Sequence, residues 1–314
     1  MPPLSRPTSL AAATASLAAA ALWGLFPVLI AIATLTPGAE GPAFAVWVNA
    51  AGGLVALLAA LILRPRAWTA LRAVLGRRSG CGLLAMNAGF IALANTLAFL
   101  ALAEEGRILS ALILDAWPLL AALILPLVVP GYTRWRWTRV PALALAAAGF
   151  TMMHDAGAAA LGTIAIAITS TLCQVATVCL HQRLIAHVKI QLDAWGMLAL
   201  QGARMILASA AALPIAVFWG TSSALLSPTP GALLTAVVAG LLIAASALLS
   251  TWSLERSRAP ALALAWLLAP AFTISLLAAL GLDHLSPTIL GGSALIIAAL
   301  AWDHLARNLK CGAR

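Results

Sequence analysis

The sequence predicts an all-α integral membrane protein in which ten transmembrane helices form two inverted five-helix repeats. The prediction depends on composition, on a series of apolar runs separated by asymmetric charge, and on similarity between the two halves. Of the 314 residues, 63% are hydrophobic and 9% are charged, and the mean hydropathy is +1.03. A soluble domain carries about 25% charged residues. Most of this surface must therefore face an apolar medium, and we expect the lipid bilayer as a partner.

The apolar runs define the predicted spans. All but the fifth are long enough to cross the hydrocarbon core, which takes about 20 helical residues. The period-two alternation of a membrane β-strand is missing, so helices are expected. The first run exceeds the roughly 7–15 apolar residues of a signal peptide, so we expect an uncleaved span. The ten runs are 10–35, 43–63, 81–103, 108–129, 138–153, 158–180, 192–218, 231–252, 259–280 and 286–305.

The lysines and arginines predict the orientation. When the ten spans alternate in direction, 16 of the 18 basic residues fall on one side. Arg107 falls on the other side, and Arg204 lies within a span. Because cytoplasmic loops are enriched in Lys and Arg, we expect both termini in the cytoplasm and the protein in the inner cell membrane. The residues assigned to the cytoplasmic side are Arg6, Arg64, Arg66, Arg72, Arg77, Arg78, Arg134, Arg136, Arg139, Arg183, Lys189, Arg256, Arg258, Arg307, Lys310 and Arg314.

The two halves resemble each other. Pro118 in the fourth span and Pro270 in the ninth are 152 residues apart, and each follows a short charged turn. Five is an odd number of helices, so the second half must be inverted relative to the first. Such repeats are typical of secondary transporters, whose binding site lies near the midplane between the halves. We therefore divide the chain into repeats 1–155 and 156–314 within one compact membrane domain.

Several classes of function are disfavoured. The sequence contains no Walker A, H-E-x-x-H or G-x-S-x-G motif. Its four cysteines lack the spacing of a zinc site, and its five histidines are expected at or beyond helix ends. We therefore expect no enzyme activity, no cofactor and no metal. Although the net charge is +9, the basic residues lie between apolar runs, so no nucleic-acid partner is expected.

Two charges are predicted inside the membrane. Asp115 lies about 10 Å below the end of the fourth span, and Arg204 lies midway along the seventh. Charge at such depth is costly and usually faces a cavity or a partner. Asp115 could bind a substrate amine, couple transport to protons, or serve only as a structural carboxylate. Arg204 could bind a substrate carboxylate, pair with Asp115, or bond to carbonyl groups.

Prolines are predicted to interrupt three spans. A proline removes one helical hydrogen bond and frees the carbonyl group four residues earlier. Freed carbonyls are tolerated where they line a cavity, and the resulting kinks allow gating. Prolines also occur in membrane helices without such a role. The three residues are Pro27, Pro118 and Pro270.

Aromatic and amide side chains near these prolines are candidate substrate contacts. Tryptophans there could line an apolar cavity, although tryptophans are also common at membrane interfaces. Buried amides could bind substrate or tie helices together. The candidates are Trp23, Trp117, Trp266, Asn95 and Gln174.

These features resemble the drug/metabolite transporter superfamily, specifically its EamA-type ten-helix exporters. The likeness is carried by Leu22-Trp23-Gly24, by the charged turns before Pro118 and Pro270, and by the stretch 281–286. In that last stretch Asp283 stands where the family has glutamate.

The second half of the resemblance concerns the predicted site. Arg204 stands where the family often has arginine. At the matching position of the first half, this sequence has Asn49 instead of arginine. Trp117-Pro118, preceded by Asp115, looks most like the aromatic amino-acid exporter branch. The resemblance implies a central cavity built from spans one, three, four, six, eight and nine. It also implies export of an amino acid or similar small molecule by alternating access.

Two other functions stay open from the sequence. An ion-coupled exporter of drugs or lipid-like substrates would suit an apolar cavity that contains tryptophan. A non-transporting membrane scaffold is the other, although a scaffold does not need paired helix interruptions around a buried carboxylate. A homodimer is also left open.

Overall fold

The computed structural model describes residues 10–128, 140–155, 159–188, 193–257 and 268–308. All regular secondary structure within these ranges is helical. The helices, in chain order, are α1 (Leu10–Thr34), α2 (Gly41–Leu63), α3 (Ala67–Leu75), α4 (Arg78–Ala103), α5 (Arg107–Asp115), α6 (Trp117–Val128), α7 (Val140–Asp155), α8 (Leu161–Val188), α9 (Ala194–Phe218), α10 (Ser222–Leu226), α11 (Pro230–Ser257), α12 (Ala269–Ala279) and α13 (Pro287–Asn308).

Six of the described helices are long and apolar enough to cross a membrane. They are α1, α2, α4, α8, α9 and α11, with apolar stretches of 21 to 26 residues. A hydrocarbon core about 30 Å thick needs about 20 helical residues. These helices match the first, second, third, sixth, seventh and eighth predicted spans. The prediction of an all-α, multi-pass membrane protein is confirmed.

The other four predicted spans are shorter or divided. The fourth is two helices, because α5 ends at Asp115 and α6 begins at Trp117. The fifth, ninth and tenth correspond to α7, α12 and α13, whose apolar parts have fewer than 18 residues. Residues 259–267 of the ninth predicted span lie outside the described ranges. The total of ten spans stays a prediction.

Large apolar side chains cover the outside of the bundle. Ile62 is 72% exposed, Leu127 is 75% exposed and Phe218 is 87% exposed. In water each of these side chains would forgo about 1.5–3 kcal/mol relative to burial. Contact with lipid removes that cost, so these faces are explained by a bilayer around the helices.

Glycines let the central helices approach closely. A Cβ built on Gly53 of α2 would lie 2.9 Å from the Gly202 carbonyl oxygen of α9. A Cβ on Gly52 would lie 2.6 Å from the Gly240 carbonyl oxygen of α11. Small residues at such crossings allow backbone-to-backbone packing, which stabilises helix association in lipid.

The packing partners place a few helices around a common centre. Helix α2 packs on α9 and α11, α4 on α8 and α9, and α1 on α11 and α12. Helix α5 packs on α8 and α12, and α7 pairs with α13. The short helices α3 and α10 pack against α9 and α2, respectively. The space enclosed between these contacts holds the candidate site.

Candidate functional site

A cavity of about 280 Å³ lies inside the bundle. Its walls come from α1, α2, α4, α6, α8, α9 and α11. Its lining combines apolar side chains, among them Phe26, Ile91 and Met205, with amide, hydroxyl, imidazole and guanidinium groups. Polar groups in a membrane bundle are costly unless they face water, ligand or one another. A mixed lining of this kind can therefore bind a small amphipathic molecule.

Five of the residues predicted from sequence line this cavity. They are Trp23, Asn95, Trp117, Gln174 and Arg204. The cavity therefore brings together side chains from α1, α4, α6, α8 and α9, which are far apart in sequence. Whether they contact a substrate stays a prediction.

The remaining predicted residues lie elsewhere. Asp115 and Pro27 line a separate crevice of about 10 Å³ beside the cavity. Pro118 is the second residue of α6, next to Trp117, at the break that divides the fourth predicted span. Pro270 is the second residue of α12 and is buried. Trp266 lies outside the described residues.

Asp115 is held by two side chains from other helices. The residue is 5% exposed. The Trp23 indole Nε1 donates to Asp115 Oδ1 at 3.2 Å, and the Thr273 hydroxyl lies 3.3 Å from Oδ2. Trp23 also lines the 280 Å³ cavity. Trp23 thus links the carboxyl group to the cavity wall.

The Thr273 hydroxyl makes this arrangement sensitive to protonation. It lies 2.9 Å from the Gly24 carbonyl oxygen and 3.3 Å from Asp115 Oδ2, but it has one proton to donate. The Ala269 carbonyl oxygen, 3.1 Å from the hydroxyl, is a third acceptor, so when Asp115 is ionised all three acceptors compete for that proton. When Asp115 is protonated, it can donate to Thr273 while Thr273 donates to Gly24. The chemistry of the three groups therefore allows two distinct hydrogen-bond arrangements.

Arg204 lines the cavity from α9 and has a different partner. Its side chain is 8% exposed, and Nη2 donates to the Gln201 side-chain oxygen one turn earlier on α9. Its Nε has no hydrogen-bond partner. Asp115 bonds to Trp23 and Thr273 instead, so the two predicted intramembrane charges are held separately.

His181 also lines the cavity, and the expectation that the histidines lie at or beyond helix ends is wrong for it. Helix α8 continues to Val188, so His181 lies seven residues inside its end and is 8% exposed. The apolar run stops at 180 because His-Gln-Arg follows, but charged residues do not end a helix. Gln174, Thr177, Val178 and His181 all line the cavity. This i, i+3, i+4, i+7 spacing places the four side chains on one face of a helix, so it could have identified His181 from the sequence.

The cavity and the α4–α5 connection lie toward opposite ends of the bundle. Met197 in the first turn of α9 lines the cavity, which therefore extends toward the α8–α9 end. At the other end, Asp283 Oδ2 accepts from the backbone N–H of Ile108 at 2.7 Å. Arg107 Nη1 donates to the Leu282 carbonyl oxygen at 2.9 Å. We call these two bonds the α5 anchor, because they tie the start of α5 to the α12–α13 connection.

No protein-family model and no curated protein matches this chain. Among solved structures, one described as the crystal structure of a protein is similar, with a TM-score of 0.61 and 18% sequence identity. The match covers 94% of this chain and 98% of the other. At that identity the likeness shows a shared fold.

Proposed function

We propose that this chain is a secondary transporter that exports a small organic metabolite, an amino acid or a close relative, by alternating access. The observation that carries the proposal is a cavity inside an apolar helix bundle whose lining combines apolar side chains with several polar groups. Its volume of about 280 Å³ is near the lower end of the roughly 300–1,000 Å³ typical of small-molecule pockets. That size suits a metabolite better than a larger drug.

The proposed ten-helix, two-repeat architecture is supported by the helix contacts. Exchanging α1 with α8, α2 with α9, α4 with α11, and α5–α6 with α12 maps one half onto the other. Under this exchange the α1–α11 contact becomes α8–α4, and α2–α11 becomes α9–α4. The α1–α12 contact becomes α8–α5, and each of these contacts is present. Such a correspondence is expected of inverted repeats.

Two interhelical hydrogen bonds support the same exchange. Ser246 of α11 donates to the Ala19 carbonyl oxygen of α1 at 2.8 Å, and Ser170 of α8 donates to Ala94 of α4 at 2.8 Å. Ser170 comes 151 positions after Ala19, and Ser246 comes 152 positions after Ala94. The two bonds therefore join equivalent positions, with the serine on opposite members of the pair.

Glycine crossings add to this support. With α7 exchanged for α13 as well, the α2–α9, α5–α12 and α7–α13 contacts each map onto themselves. Two of them have glycine on each side: Gly53 faces Gly202 in α2–α9, and Gly149 faces Gly292 in α7–α13. In a two-repeat protein these helices would meet across the symmetry axis, where two copies of one surface must fit together.

We also propose that this conformation faces the cytoplasm. The cavity extends toward the α8–α9 end, which the distribution of basic residues predicts to be cytoplasmic. The α5 anchor lies at the other end and ties two connections together. Export would require the anchor to open while the cytoplasmic end closes.

Asp115 is proposed as the coupling residue. Its carboxyl group bonds to Trp23, and Trp23 forms part of the cavity wall. Protonation would alter the Thr273 and Trp23 hydrogen bonds, so it could change the position of the indole during the cycle. A charge change outside the cavity would thereby act on the substrate through Trp23.

An ion-coupled exporter of drugs or lipid-like substrates is the second candidate. The apolar wall formed by Phe26, Ile91, Met205 and Ile243 favours it. A non-transporting scaffold has no evident need for a cavity lined by polar residues.

The proposal is tested with purified protein in liposomes. Uptake or efflux of a panel of radiolabelled amino acids is measured beside accumulation of a cationic dye, with protein-free liposomes as the control. We expect flux of at least one amino acid and no movement of the dye. Dye movement alone would favour the second candidate, and no flux of any compound would contradict transport.

A further inference from the structure

Among the described residues of the cavity wall, three buried groups lack hydrogen-bond partners. They are Nδ2 of Asn49, Nδ1 of His181 and Nε of Arg204. Their residues are 0%, 8% and 8% exposed, and all three line the 280 Å³ cavity. Buried polar groups are nearly always paired, so a molecule bound in the cavity could supply partners for these three.

The free atoms are suited to donating rather than accepting. Asn49 Oδ1 already accepts from Asn95 Nδ2 at 2.8 Å, which leaves the amide Nδ2 as the unused group. A guanidinium nitrogen can only donate, and an imidazole Nδ1 donates in one tautomer or when protonated. An acceptor group would therefore satisfy Asn49 and Arg204, and it would also satisfy His181 in the tautomer that carries its proton on Nδ1.

The charge of the cavity lining also favours a ligand that carries acceptor atoms. Arg204 lines it, and none of the described lining residues is acidic. Asp115 is outside it, in the separate crevice, and is bonded to Trp23. One guanidinium group matches a single negative charge, and the paired donors of arginine fit the two oxygens of a carboxylate.

We infer that Arg204, His181 and Asn49 form a subsite for the carboxylate group of the substrate. This inference rests on the proposed function, because it names the chemical group by which the transported metabolite is recognised. Gln201 positions the guanidinium group by accepting from Nη2. The apolar remainder of the substrate would lie along Phe26, Ile91 and Met205.

The inference predicts that binding depends on the carboxylate. Three probes share one skeleton: 3-phenylpropionate, 3-phenylpropanamide and 3-phenylpropylamine. Binding to the purified wild-type protein is measured by isothermal titration calorimetry. The carboxylate should bind at least about tenfold more tightly than the amide, because hydrogen bonds to a charged group are stronger than neutral ones. The amine should bind most weakly.

Variants assign the effect to the subsite. Arg204→Gln should weaken 3-phenylpropionate about tenfold or more and change the amide by no more than about twofold to threefold. Arg72→Gln is the matched control, because this exposed arginine of α3 loses the same charge outside the cavity. His181→Gln should also weaken the carboxylate, whereas His284→Gln, at an exposed position, should not. Arg204→Lys retains the charge and should give an intermediate loss.

Several outcomes would overturn the inference. These are equal affinity for carboxylate and amide, an equal loss of both in Arg204→Gln, and absence of carboxylate binding. The wild-type comparison decides the matter even when a variant does not fold. Carboxylate-selective binding without flux in liposomes would contradict the transporter proposal and leave the subsite intact. Flux of amines without carboxylate selectivity would contradict the subsite and leave the transporter proposal intact.

Discussion

Replacing Asp115 with asparagine tests whether this carboxyl group couples transport to protons. Asparagine has nearly the same shape and resembles the protonated acid: its oxygen can accept from Trp23, and its amide can donate to Thr273. The protein should therefore fold. A hydrogen bond to a charged group contributes about 1.5–3 kcal/mol and a neutral one about 0.5–1.5 kcal/mol. Weaker hydrogen bonds should therefore lower the free energy of unfolding by about 1 kcal/mol, and removal of a buried charge offsets that loss.

The assay is flux in liposomes between pH 5 and pH 9, with melting temperature measured on the same preparations. We expect Asp115→Asn to melt close to the wild type and to lose the pH dependence of flux. Thr273→Val should alter the pH profile as well, because its hydroxyl contacts Asp115. Thr171→Val removes a buried hydroxyl that bonds to the carbonyls of Ile113 and Ala167, and should leave the profile unchanged. A wild-type pH profile and rate in Asp115→Asn would refute the coupling role.

Three further changes test the packing, the α5 anchor and the topology. Gly53→Ala should destabilise the protein by about 1–3 kcal/mol, because its Cβ would meet the Gly202 backbone. Gly89→Ala is the control and should not lower the melting temperature, because nothing lies within 4 Å of a Cβ at that position. Asp283→Ala should cost about 0.5–2 kcal/mol in thermal unfolding, because α5 loses its side-chain acceptor; an unchanged stability would show that the anchor contributes little. Reporter fusions should place the 64–80 loop in the cytoplasm and Glu104 outside, and external labelling of that loop in intact cells would contradict the ten-helix topology.

The long helices could be predicted because their sequences are apolar over a bilayer's thickness. Their ends could not be predicted as well. Helix α8 continues past the apolar run to Val188, and α4 begins at Arg78, three residues before its run. Charged residues end a hydropathy signal, but they are compatible with helical backbone. The break near Pro118 could be anticipated, because proline has no N–H to donate to the carbonyl four residues earlier and is tolerated in the first turn of a helix.

The cavity could be predicted only in part. Polar and aromatic residues within apolar spans were visible in the sequence, and Trp23, Asn95, Trp117, Gln174 and Arg204 do line it. The separation of Asp115 from the cavity depends on how α1 and α12 pack beside α5, which a single sequence does not reveal. His181 was missed because it follows the last residue of its apolar run.

The central claim is that substrate passes through the described cavity, and a pair of tryptophan substitutions on α4 tests it most directly. Ile91 lines the cavity, whereas Leu93, two positions later, is 37% exposed on the outside of the bundle. Both variants add a bulky ring to one helix, so their effects on expression and stability can be compared. Flux of the transported amino acid in liposomes should be lost in Ile91→Trp and retained in Leu93→Trp. Wild-type flux in a folded Ile91→Trp protein would contradict transport through this cavity.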